Sequence, residues 1–138
     1  NYRCGTGHSV SFVGNVHEGP HALNGRNTTL MRPGMIVTDE PGVYETDLVG
    51  IRIENELVCV HKADNQYGTF LGFEPIMFVP IATSPIVPGV LTKDELDWLN
   101  NYHRQVFEKL APRLNDEERE WLAKKCAAIG CTRPLNIA

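Results

Sequence analysis

The chain has 138 residues, 42% hydrophobic and 22% charged, with a formal net charge of −4 at pH 7. That composition is ordinary for a globular domain with an apolar core. It lacks the clustered Lys and Arg of a nucleic-acid or membrane-surface binder, and no apolar run approaches the ~20 residues of a membrane span.

The chain starts at Asn1 rather than Met and enters a dense motif within a few residues, so it reads as a fragment of a longer protein. Its four cysteines, Cys4, Cys59, Cys126 and Cys131, form no C-x-x-C pair. An apolar core makes a disulfide framework unnecessary, which points to a reduced, cytoplasmic protein. Cys59, inside L-V-C-V, reads as a small buried hydrophobe.

Residues 1–30 are rich in Gly, His and Asn, and Ser9–Val13 offers a short alternating segment. Glycines around His8 let backbone approach a ligand closely. Arg32-Pro33-Gly34 is a turn signal, after which Met35–Thr38 reads as a strand stopped by Pro41-Gly42. A loop over Val43–Gly50 leads to the longest strand-like run, Ile51–Val60. Alternation there puts Ile51 and Ile53 on one face and Arg52 and Glu54 on the other. Adjacent antiparallel strands would bring Glu40 and Glu54 together.

A polar loop follows around Asp64-Asn65-Gln66, then the apolar run Ile76–Ile81, in which Pro80 marks an edge or an exit from the sheet. Thr92-Lys93-Asp94-Glu95 is a capping box, and Leu96, Leu99, Val106 and Leu110 follow at helical spacing until Pro112. Asn115 opens a second helix with Glu118 in the reciprocal cap position and Gly130 as its C′ residue. Trp121, Leu122, Cys126 and Ile129 form its apolar stripe. The expected division is 1–91 for a mixed α+β part and 92–138 for a helical extension.

The residues able to carry chemistry are His8, His17, Glu40 and Glu54, the ligand types of a hard-to-borderline divalent metal site without cysteine. Taken singly, a histidine in a Gly-rich loop is more often structural, and a Glu before Pro-Gly is more often a solvated turn residue. Glu54 in an apolar strand needs a partner, which Arg52 could supply as a structural ion pair. Spacing alone leaves a metal site and a set of structural pairs equally open. His21, His61 and His103 read as surface residues, and Tyr44 as a hydrophobic cover over the Pro-Gly turn.

The motifs G-T-G-H-S-V, V-H-E-G-P, G-M-I-V-T-D-E-P-G-V-Y and G-I-R-I-E-N, in that order, resemble successive motifs of the Xaa-Pro aminopeptidases (aminopeptidase P), members of the pita-bread metallopeptidases. F-E-P-I and L-T-K-D-E-L-D-W-L-N-N-Y-H resemble the C-terminal part of the longer, eukaryotic-type form. The resemblance implies the C-terminal half of a pita-bread fold, with antiparallel strands and C-terminal helices. It implies His8 and Glu40 as ligands of one metal and Glu54 as the carboxylate bridging two, most often Mn²⁺. It further implies His17 as a substrate-contacting histidine, Arg52 as a residue orienting the carboxylates, and Glu40 as the proton acceptor for the attacking water. The implied substrate is a peptide with proline at its second position, and homodimerisation through the C-terminal region is known in the longer members.

Three departures stand out. The two metal-binding aspartates of the family belong upstream of the histidine motif, so this fragment alone is expected to be inactive. Arg3-Cys4 occupies the place of a further substrate-contacting histidine. Ser9 and Ser11 stand where the family usually has glycines, and would narrow the cleft or cap a backbone group. A prolidase acting on Xaa-Pro dipeptides, and a non-catalytic pita-bread module that binds peptide or protein, are the competing readings.

Overall fold

The computed structural model describes residues 4–130. The chain divides into two compact units, Asn1–Met77 and Phe78–Ala138.

In the first unit β1 (Ile36–Asp39) pairs antiparallel with β4 (Asn55–Asn65), and β4 pairs with β5 (Gly68–Pro75). A second, two-stranded ladder joins β2 (Gly42–Glu45) to β3 (Val49–Arg52). Asp39 faces Asn55 and Gly42 faces Arg52, so both ladders keep one register and form a long hairpin interrupted at Glu40-Pro41 and Ile53-Glu54. Proline has no N–H to give the ladder, and across the gap only its carbonyl bonds, accepting Ile53 N–H at 3.3 Å. The interruption is what sets Glu40 apart from a strand and turns its side chain into a site.

The expected loop over Val43–Gly50 is therefore a hairpin. Asp47 takes φ 58 at its tip and Leu48 N–H bonds the Glu45 carbonyl at 3.1 Å; Asp tolerates that left-handed conformation because its short polar side chain bonds locally. The expected single strand Ile51–Val60 is broken at Ile53-Glu54. The expected loop around Asp64–Gln66 is only a tight turn between β4 and β5, an additional strand that sequence reading did not find. Asn65 Oδ1 accepts Tyr67 N–H at 2.8 Å, and Gly68 takes φ +131, which a Cβ would oppose.

Residues 4–30 contain no regular strand. Instead of an alternating strand over Ser9–Val13 there are two isolated bridges, His8 with Ala22 and Ser9 with Val37. The Thr6–Ser9 segment nevertheless lies between two neighbours. Leu23 N–H bonds Gly7 O at 3.0 Å on one side, and on the other Thr38 N–H bonds His8 O at 2.9 Å and Glu40 N–H bonds Thr6 O at 2.7 Å. Gly7 makes this approach: a Cβ there would lie 2.0 Å from the Thr38 carbonyl oxygen and 2.9 Å from Leu23 Cβ. Val37 of β1 and Cys59 of β4 are buried, the latter as its apolar surroundings in sequence implied.

The second unit contains α1 (Lys93–Leu110) and α2 (Asp116–Lys125). Both capping boxes form: Thr92 Oγ1 accepts Glu95 N–H while Glu95 Oε2 accepts Thr92 N–H, and Asn115 and Glu118 do the same. Tyr102, Val106, Ala111, Leu122 and Cys126 make the core, with Phe78 and Ile81 packed against it. Trp121 departs from the expected stripe, being 56% exposed with Lys125 over its ring. α2 ends at Lys125, before the expected Gly130, which takes φ +67 and packs against Leu96 instead.

The run Ile76–Ile81 is irregular, and the backbone of Val79 and Ile81 is held by side chains of α1. Tyr102 Oη both accepts Val79 N–H at 3.2 Å and donates to Val79 O at 3.0 Å, and His103 Nε2 accepts Ile81 N–H at 3.0 Å. His103, expected at the surface, is fully buried. It fell outside the apolar pattern because it replaces a hydrophobe in the helix stripe to supply that acceptor. Burial pushes its pKa below the usual histidine value and raises the Cys126 thiol to about 11. No described helix is long and apolar enough to cross a membrane.

Candidate metal centre

The first unit contains a cavity of about 390 Å³ lined by Gly5, Gly7, His8, His17, Asn24, Glu40 and Arg52. Each side chain arrives there for a local reason. His8 projects from the segment that Gly7 allows to sit against β1. Glu40 follows β1 at the point where Pro41 ends pairing, and Arg52 closes β3 across the gap.

His8 Nε2 lies 3.1 Å from Glu40 Oε1. His8 Nδ1 is 2.9 Å from the Ser9 carbonyl oxygen, which can only accept, so Nδ1 carries the proton and Nε2 presents its lone pair. Two lone-pair-bearing atoms at that separation hold a proton or a cation between them. Glu40 is only 8% exposed, and both its oxygens are engaged: Thr38 Oγ1 donates to Oε1 at 3.1 Å and Arg52 Nη1 donates to Oε2 at 2.7 Å.

Arg52 is itself held. Its Nε donates to Tyr44 Oη at 2.7 Å, and its guanidinium carbon lies 5.6 Å from the Tyr44 ring centroid. The ring lies along the hairpin over two glycines: a Cβ on Gly42 would come within 2.7 Å of Tyr44 Oη, and one on Gly50 within 3.2 Å of Tyr44 Cδ1. Tyr44 is thus a hydrogen-bond partner of Arg52 as well as a cover over the turn. Its role could have been found from register, since Gly42, Tyr44, Gly50 and Arg52 share one face.

His17 stacks on His8, with ring centroids 3.8 Å apart and planes 16° from parallel. The irregular Ser11–Glu18 loop returns it there, pinned by Glu18 N–H to the Ser9 carbonyl at 3.3 Å. His21, expected on a surface loop, is half-buried with Nε2 2.7 Å from the Ile36 carbonyl oxygen, which ties the loop to β1. His61 is exposed as expected and pairs with Asp64 at 2.8 Å.

The residues singled out from sequence are therefore only partly gathered. His8, His17, Glu40 and Arg52 line one cavity. Glu54 follows the same register, one step beyond the Asp39–Asn55 pair, but its side chain is exposed and does not line the cavity. Arg52 ends β3, and Glu54 lies in the gap before β4. Among the described residues no three His, Cys, Asp or Glu side chains converge to hold a metal ion. Ser9 and Ser11 neither line the cavity nor cap a backbone group, their hydroxyls being buried without a hydrogen-bond partner among the described residues. Cys4 is exposed.

The donor set fits one side of a divalent-cation site. It offers an imidazole nitrogen with its tautomer fixed by a backbone carbonyl and a carboxylate oxygen whose partner oxygen is neutralised by a guanidinium. Two ligands are too few to complete a coordination shell, so further ligands are required.

Residues 1–61 match metallopeptidase family M24, and residues 69–129 match the C-terminal region of peptidase M24. Aminopeptidase P2 of Arabidopsis thaliana is 45% identical over 97% of this chain, and a probable Xaa-Pro aminopeptidase P of Coprinopsis cinerea is 42% identical over 93%. The chain covers 19% and 22% of those two proteins, so it spans about a fifth of the curated relatives' length. The crystal structure of X-prolyl aminopeptidase from Caenorhabditis elegans, a cytosolic enzyme with a di-nuclear active site, superposes with a TM-score of 0.79 at 39% identity. It covers 91% of this chain and 21% of that one. The fold, the ordered match of both halves and these relatives together establish that the chain belongs to metallopeptidase family M24, with the pita-bread fold.

Proposed function

We propose that this chain is the C-terminal part of the catalytic unit of a cytoplasmic, metal-dependent aminopeptidase that releases the N-terminal residue from Xaa-Pro peptides. The observation that carries the reading is the His8–Glu40 contact at 3.1 Å in a cavity shared with His17 and Arg52, within a chain of family M24. His8, Glu40 and Glu54 would hold the metals, most suitably two Mn²⁺ given the oxygen-rich donor set. When bound, such ions lower the pKa of water and polarise the scissile carbonyl. Glu54, exposed on this chain, supplies its carboxylate to a site completed by residues elsewhere in the longer protein.

The chain's own residues have distinct tasks. Glu40 takes the proton from the attacking water and returns it to the leaving proline nitrogen. Arg52 fixes the Glu40 carboxylate through Oε2 and Tyr44 fixes Arg52, so the accepting oxygen is held before substrate arrives. His17, stacked beside His8 at the cavity, donates to the oxygen that gains charge as the carbonyl is attacked.

Because only two of the required ligands converge here, this chain alone is inactive. The test is hydrolysis by the full-length protein with Mn²⁺. It should cleave an Xaa-Pro tripeptide and leave the Xaa-Ala analogue intact, and His17→Ala should lower kcat by about 100-fold or more. Equal cleavage of both peptides would refute the substrate assignment. Cleavage confined to an Xaa-Pro dipeptide assayed alongside them would favour a prolidase, and no cleavage would favour a binding module.

A further inference from the structure

Thr38 has no part in the reading above, yet it touches both halves of the ligand pair. It is 3% exposed and lies in β1 two residues before Glu40, on the same face by strand alternation. Its Oγ1 accepts the His8 backbone N–H at 3.0 Å and donates to Glu40 Oε1 at 3.1 Å. The direction of both bonds is fixed by chemistry. A backbone N–H can only donate and an ionised carboxylate can only accept, so the hydroxyl proton must point at Glu40.

Glu40 Oε1 has two lone-pair directions. Thr38 occupies one, leaving the other for the side where His8 Nε2 stands 3.1 Å away. Arg52 holds Oε2 at 2.7 Å, so the carboxylate is fixed at both oxygens and cannot rotate to present them as a pair. The same hydroxyl anchors the backbone of His8. One atom therefore ties the residue carrying the imidazole to the carboxylate it must meet.

We propose that Thr38 is a positioning residue whose hydroxyl sets the spacing of His8 and Glu40 and presents Glu40 to the cation through Oε1 alone. The inference rests on the proposed metal site and names a determinant of its affinity. A general strand role would need only the β-branched shape of Thr38, which Val shares. A positioning role needs the hydroxyl, which Ser shares.

The experiment is calorimetric titration of the metal-free full-length protein with Mn²⁺ alone, comparing wild type with Thr38→Val and Thr38→Ser. Thr38→Val should weaken Mn²⁺ binding by about 10- to 100-fold, the range for loss of a group that orients a metal ligand, while Thr38→Ser should stay within about threefold of wild type. Thr38→Val binding as tightly as wild type, or a folded Thr38→Ser weakened tenfold or more, would overturn the proposal. Should Thr38→Val fail to fold, the Thr38→Ser titration decides by the same criterion. Failure of the wild type to bind Mn²⁺ would overturn the metal reading itself, an outcome distinct from these.

Discussion

The substitution Gly7→Ala puts the construction of the site to its most specific test. An ideal Cβ on Gly7 lies 2.0 Å from the Thr38 carbonyl oxygen, about 1.2 Å closer than such atoms approach in folded proteins. The Thr6–Ser9 segment must therefore retreat from β1 by about 1 Å. Retreat stretches the Thr38–His8 and Glu40–Thr6 backbone bonds, now 2.9 and 2.7 Å, toward 4 Å, beyond hydrogen-bonding range. Two lost bonds cost about 1 kcal/mol each, and forced overpacking adds about 1–3 kcal/mol. The expected loss is about 3–5 kcal/mol, a large share of a typical stability of about 5–15 kcal/mol. The same retreat parts His8 from Glu40. Urea denaturation and Mn²⁺ titration of the full-length protein should both register it. Gly25→Ala supplies the control, because a Cβ there meets nothing within 4 Å and the residue does not line the cavity, and should leave both measurements nearly unchanged. A Gly7→Ala protein with wild-type midpoint and metal affinity would refute the reasoning.

Three further outcomes follow from other contacts. Tyr44→Phe removes the acceptor of Arg52 Nε but leaves the Arg52–Glu40 contact, so kcat/KM on an Xaa-Pro peptide should fall only about fivefold, the worth of ~1 kcal/mol; a hundredfold loss would mean a direct role for the phenol. His103 has a pKa depressed by burial, so the unfolded state binds its proton first as pH falls below about 6.5. Stability is thus full above that value and declines below it, by at most ~1.4 kcal/mol per pH unit, until the folded-state pKa is passed. Protection of the Ile81 amide against hydrogen exchange, corrected for intrinsic rates, should fall in that window and lose its pH dependence in His103→Gln. Cys126, with its pKa raised to about 11, is thiolate in roughly one molecule per thousand at pH 8, so iodoacetamide should label exposed Cys4 at least a hundredfold faster; comparable rates would contradict the burial.

The two helices were legible because their signals are local. Both capping boxes lie within four residues, and Leu99, Val106, Leu122 and Cys126 mark the buried faces. The β ladders were legible only in part. Residues such as Gly68–Pro75 become a strand by pairing with β4, not by their own pattern, and Tyr67, Phe70 and Phe73 stay largely exposed, so no alternation announced them. In the site, His8, Glu40, His17 and Arg52 could be named from motif order. Thr38 could not, since its importance lies in which atoms it reaches across strands, and Tyr44 is found only through the hairpin register it shares with Arg52. The burial of His103 also escaped sequence reading, because its partner is the backbone of Ile81, twenty-two residues away.

The central claim is that His8 Nε2 and Glu40 Oε1 bind a metal ion together. Pulsed electron paramagnetic resonance of the Mn²⁺-loaded full-length protein tests it most directly, through the magnetic coupling of Mn²⁺ to an imidazole nitrogen. That coupling should be present in the wild type, persist in His17→Gln and vanish in His8→Gln. An undiminished coupling in a folded, Mn²⁺-loaded His8→Gln protein would contradict the claim.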